Sequence, residues 1–330
     1  MNYKFIIIFS LILILLTLII RNKEKFGSSD KQNIIINKKY FNHFNKLDLK
    51  LRKIKNFESI DNFYIKGVIE LDNEEIKILK IMVYDFKKLL GNNFVKIFEN
   101  IEFIKVKNYI ENSLPHTREK KIILSESWFD IYYDKYIHDK HFIKYDTYLQ
   151  KLIAHEQFHI FQRYNTKLID KLYKDYWDLE KYNDKLPIEI LNINRTNPDA
   201  LPDQNWLFRI DIHEYILPLC VYNNNPGNIS DTSNIYIKVI KKNNKFLINN
   251  LNEQLKNKKL LINNLTFKQY FGEESSNNYH PNELSSSLFE IIVTDQINLN
   301  KSKLVMERIK KTRVTAYNKM KKFLKDYDLI

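Results

Sequence analysis

The spacing of apolar residues divides the chain into recognisable elements. In DNEEIKILKIMVYDFKKLLGNNF, residues 72–94, apolar side chains fall at 76, 78, 79, 82, 83, 86, 89 and 90. Positions three and four apart share a helix face, so this spacing predicts an amphipathic helix that opens on acidic residues and stops near Gly91. KKIILSES (120–127) is short, rich in β-branched residues and bounded by charge, which predicts a strand. DTYLQKLIAHEQFHIFQRYN (146–165) returns to helical spacing, with Asp146 placed as an N-cap. LIDKLYKDYWDLEKY (168–182) predicts another helix. NRTNPDALPDQNW (194–206) carries two prolines among turn formers and reads as a loop, a structural turn ending on a core Trp206, with a place beside a cleft as the alternative. Strands are expected over 206–222, 234–241 and 245–249. HPNELSSSLFEIIVTDQ (280–296) suits a helix with Pro281 in its first turn, and 302–324 suits a long basic helix. No internal repeat is present.

One apolar run has no polar face. FIIIFSLILILLTLII, Phe5 to Ile20, would extend about 24 Å as a helix, slightly less than the roughly 30 Å of a hydrocarbon core. No small-residue cleavage site follows it; RNKEKFGSS does. The expectation is an uncleaved single-pass membrane anchor over 1–20, then a basic stalk over 21–50 and one domain over 51–330. Arg21, Lys23 and Lys25 after the run lean toward a cytosolic domain by a small margin, which leaves its side undecided.

Composition narrows the classes further. The chain has 330 residues, 44% hydrophobic and 28% charged, enough for a sizeable core and unlike a disordered segment. The net charge of +13 comes from scattered lysines with no nucleic-acid-reading module, so it speaks to solubility, and a nucleic-acid partner is not expected. The single cysteine, Cys220, excludes an intrachain disulfide and a cysteine-rich metal site.

Chemistry concentrates in LIAHEQFHIFQ, residues 152–162. His155 and His159, four apart on a helix, can aim ring nitrogens at one metal ion. Glu156 lies about 100° round the helix from His155, positioned to take a proton from a water at that metal. In this composition a chance H-E-x-x-H has a probability on the order of 1%. The motif resembles that of the zincin metallopeptidases. The resemblance implies an α+β fold with a mixed sheet over an active-site helix, one zinc ion per chain, and peptide or protein substrates. It also implies an edge strand that holds an extended peptide by backbone hydrogen bonds. Ile122, Ile123 and Leu124, in the strand nearest the helix, are the expected edge.

Zinc at a catalytic site takes three protein ligands. The metzincin extension is absent, because Gln162 and Asn165 stand where it needs Gly and His. A Glu on a later helix would make the site gluzincin-like, and HPNE resembles an H-P-x-E ligand segment. Glu283 is therefore the preferred third ligand and Glu290, seven residues on, the alternative. His213 and Glu214 stand behind both. Ser285, Ser286 and Ser287 would let this helix approach the first closely. His280, Tyr279 and Tyr270 are candidate oxyanion donors. The leading expectation is a membrane-anchored zinc metallopeptidase. The alternatives are a membrane-anchored zincin-like binding or structural protein without turnover, and a basic surface binder.

Overall fold

A computed structural model describes residues 35–256, 278–297 and 314–330. Helices α1 (Lys38–Phe41), α2 (Lys46–Leu51) and α3 (Ile60–Gly67) come first, followed by strand β1 (Val68–Ile69). Then come α4 (Asn73–Leu90), β2 (Phe103–Val106), β3 (His116–Arg118), β4 (Lys121–Ser125) and α5 (Glu126–His138). The motif helix is α6 (Thr147–Tyr164), followed by α7 (Thr166–Lys171), β5 (Leu179–Lys181) and α8 (Ile188–Leu191). The remainder is β6 (Trp206–Arg209), β7 (Glu214–Tyr222), β8 (Thr232–Lys242), β9 (Lys245–Leu247), α9 (Leu251–Lys256), α10 (Pro281–Ile297) and α11 (Val314–Asp326).

Two sheets form. One has the order β1-β2-β4-β3, with β2 and β4 parallel and the other pairs antiparallel; the second is an antiparallel β5-β6-β7-β8-β9 meander. The largest core cluster joins α4, α5, α6, α10 and α11 to the first sheet. Within it the Phe158 ring stacks on Phe289 with centroids 4.4 Å apart, which fixes α6 against α10. Ser285, Ser286 and Ser287 of α10 are all buried, and small side chains there permit a close helix approach.

Helix ends follow the local sequence. Asp72 and Glu75 form a reciprocal capping box at the start of α4, and Gly91 ends that helix at a positive φ of 63°. Asp146 accepts from the Leu149 N–H at 3.0 Å, capping α6. The stretch 168–182, expected to be one helix, ends its helical part at Tyr176, and Leu179–Lys181 is strand β5. There the chain pairs with β6, and that ladder overrides a helical spacing.

Three expectations need correction. The chain is a mixture of helix and sheet, but no helix among the described residues is long and apolar enough to cross a membrane. The anchor expected over 5–20, with its single-pass membrane placement, lies outside the described residues and goes no further. Residues 35–50, read as the end of a stalk, instead bury Tyr40, Phe41, Phe44, Asp48 and Leu49. They carry apolar and capping positions that periodicity over so short a stretch does not reveal. Finally, Ile122, Ile123 and Leu124 are not an edge. They lie in β4 between β2 and β3 with no exposed surface, as expected for a continuous apolar run paired on both sides. The edges of this sheet are β1 and β3, and β3 is the one beside β4.

Candidate metal centre

The geometry starts from α6. One turn apart, His155 and His159 bring their Nε2 atoms within 3.1 Å of each other. Glu283, in the first turn of α10, places Oε2 3.5 Å from His155 Nε2 and 3.7 Å from His159 Nε2. These three side chains form a group able to hold a metal ion, their ligand atoms all within 4.8 Å of one another. A tetrahedral ion with bonds of about 2.05 Å holds its ligands about 3.3 Å apart. The three separations scatter around that value.

Proton positions point the same way. His155 Nδ1 lies 3.1 Å from Glu290 Oε2, and a carboxylate can only accept, so Nδ1 carries the hydrogen. His159 Nδ1 lies 2.9 Å from Gln162 Oε1. The Gln162 amide is oriented by its other end, whose Nε2 donates to Asn282 O and to Ser285 Oγ at 2.9 and 2.8 Å. With Nδ1 turned to an acceptor on both rings, the two Nε2 atoms face one point together with a carboxylate oxygen. A bound cation would satisfy all three at once. Burial opposes the charged form of His155, yet Glu283 and Glu290 raise its pKa well above the usual value. At His159 burial is likewise overcome, chiefly by Glu283 and Asp199. Burial would raise Glu283, but the two histidines hold it well below the carboxylate range.

Glu156 is buried on the same helix, and its Oε2 has no hydrogen-bond partner. Burial pushes its pKa up to about 7 against the pull of His155. Both the triad and Glu156 line a cavity of about 350 Å3, which Tyr279, Arg195 and His116 also border.

No family model, curated protein or solved structure matches the chain. The site's reading therefore rests on its own chemistry.

The other residues singled out in the sequence sort by position. Glu290 orients His155 through Nδ1 rather than joining the triad. His280 is spent on structure: its Nδ1 accepts from the Asn282 N–H at 3.1 Å and its Nε2–H donates to Gln204 O at 2.7 Å. Burial lowers its pKa to about 4, which keeps it neutral. Tyr279 borders the cavity, and Asn197 donates to its hydroxyl. Tyr270 lies outside the described residues. Glu214 opens β7 and pairs with Lys238, and neither it nor His213 belongs to the metal-binding group.

Loop 194–206 carries what the sequence reading missed. Asn197 Nδ2 donates to Glu283 Oε1 at 2.7 Å, which turns Oε2 toward the histidines. Asp199 accepts from the Thr117 N–H at 3.3 Å and pairs with Arg163 at 2.8 Å. Two prolines and several turn formers marked this segment as a loop. Nothing in its spacing marked which face it covers.

Proposed function

We propose that the chain is a zinc-dependent hydrolase acting on peptide bonds, with His155, His159 and Glu283 as ligands and Glu156 as general base. The observation that carries this reading is the convergence of two Nε2 atoms and one carboxylate oxygen at near-tetrahedral spacing beside a buried Glu156 whose Oε2 has no hydrogen-bond partner. Two imidazoles and a carboxylate, with a fourth position facing a cavity, are the donor set of catalytic zinc. Zinc bound there would supply Lewis acidity toward a carbonyl oxygen and toward water. The chain's own groups do the rest. Glu290, Gln162 and Asn197 hold the three ligands in place. Glu156, with a pKa near neutrality, takes the proton that a water loses as it attacks the carbonyl carbon, and passes it to the departing amine. The Tyr279 hydroxyl, which keeps its proton because burial and Glu283 raise its pKa, is available as a donor within the same cavity.

Elemental analysis and a peptide-library assay on the full chain test this. The parent should carry one zinc per chain and cleave. Glu283→Ala should lose the metal. Glu156→Gln should keep it while cleavage drops by about two to four orders of magnitude. Zinc-dependent cleavage that survives in Glu156→Gln would refute the mechanism, and a folded parent without zinc would refute the site.

A further inference from the structure

A second cationic centre stands beside the triad. Arg195 lines the same cavity as His155, Glu156, His159 and Glu283. Its backbone is fixed to the second sheet: the Arg195 N–H donates to Cys220 O at 2.9 Å, the Tyr222 N–H donates to Ile193 O at 2.8 Å, and Asn194 bridges Val221. Its side chain has a weaker anchor, a hydrogen bond to the buried Cys220 sulfur. The Nε atom is buried without a hydrogen-bond partner. Among the described residues no carboxylate forms an ion pair with it, because those nearby are engaged. Glu111 pairs with Arg52 and Arg118, Asp199 with Arg163, and Glu283 faces the two histidines. An arginine stays charged at any working pH and offers five donors in a planar fork. Left in a partly buried cavity without an anion, it is unfavourable.

Two further features limit what the anion belongs to. The edge of β3 is closed to an extended chain. The Thr117 N–H donates to Asp199, Thr117 O accepts from Arg118 at 3.2 Å, and Glu119 O accepts from Arg163 at 2.6 Å. A long peptide cannot add to the sheet there by backbone pairing. The cavity also holds a free acceptor. His116 donates from Nδ1 to Leu114 O at 2.9 Å, which leaves its buried Nε2 as an unpartnered lone pair.

We propose that Arg195 binds the free α-carboxylate at the C terminus of a peptide, and that the site removes residues from that end rather than cutting within a chain. The guanidinium fork matches a carboxylate bidentately, and His116 Nε2 accepts an N–H from the same terminal segment. The proposal rests on the peptidase reading. In the reaction one water is consumed: its oxygen joins the acyl carbon, the C–N bond breaks, and both its protons leave on the amine.

Binding and turnover separate the two ideas. The full chain carrying Glu156→Gln and loaded with zinc is titrated with N-acetylated tripeptides, as free acids and as C-terminal amides. The free acids should bind at least tenfold more tightly. Adding Arg195→Met should abolish that preference with zinc content unchanged, and Arg195→Lys should restore part of it. The assignment is overturned by equal binding of acids and amides, by no binding of either, or by a preference that survives Arg195→Met. It is also overturned if amides ending in Glu bind as tightly as the free acids, which would give Arg195 a side-chain carboxylate instead. If the acid preference stands but zinc-loaded parent with Glu156 intact cleaves neither set, the peptidase reading fails and the anion site remains.

Discussion

At the scale of single residues, the candidate metal centre is defined as much by the groups that hold His155, His159 and Glu283 as by those three side chains. Glu290 has no place in the triad, yet it fixes the tautomer and tilt of His155. Replacing it with Gln keeps the side chain's shape and weakens the acceptor. Such partners typically contribute ten- to hundredfold in metal affinity. Glu290→Gln should therefore loosen zinc by about that factor while leaving one zinc per chain at saturation, measured by competition with a chromogenic chelator. Glu283→Ala should instead abolish binding in the same assay, and equal losses in the two variants would mean that Glu290 is itself a ligand. The two histidines and Glu156 were legible because a spacing of four has one meaning on a long helix. Glu283 was legible because two histidines require a partner. Asn197 and Arg195 were not, because they lie in an irregular segment whose position is set by a bridge to Val221, twenty-odd residues away in sequence.

Among the elements, α6 carries His155, Glu156 and His159, and its first turn carries much of its local definition. Asp146 caps the helix and also pairs with Lys135. Asp146→Ala removes both contacts and should cost about 1 kcal/mol, the usual value for a lost cap, read as a lower urea midpoint with an unchanged slope. The cap is more than two turns from His155, so zinc per chain should stay the same; a loss of metal would mean that the start of the helix, and not its packing on α10, sets the ligand geometry. The misassigned edge strand belongs to this scale as well. IIL in β4 is apolar on both faces because both sides are covered, whereas the true edge is three residues, His116–Arg118, too short and polar to announce a strand. Proximity to the helix therefore picked the strand with the stronger sequence signal, one position too deep in the sheet.

Over the whole molecule, buried charge ties distant segments to the site. The Arg52 guanidinium reaches Asp48, Glu111, Tyr40, Tyr222 and the carbonyl of Thr196, so the first helices, the turn before β3, the second sheet and the loop bearing Arg195 and Asn197 meet at one side chain. Buried neutral histidines add a dependence on pH. His280 has its pKa lowered from 6.5 to about 4 by burial, despite its bond to Gln204. A depressed value means that the unfolded chain binds the proton first. The stability contribution is complete above pH 6.5 and is lost as pH falls from there toward 4, by about 1.4 kcal/mol per pH unit. Other groups titrate in the same window, with Glu156 acting in the opposite sense because its value is raised. The clean quantity is therefore a difference between two chains. His280→Gln removes the titrating ring, so the parent should be the more stable protein at pH 7.5, and the gap should narrow steadily as the pH is lowered to 4.5. Urea unfolding of both chains at several pH values measures it. A gap that stays constant with pH would mean that His280 takes up its proton as readily in the folded chain as in the unfolded one, and on protonation its bond from the Asn282 N–H could not be kept.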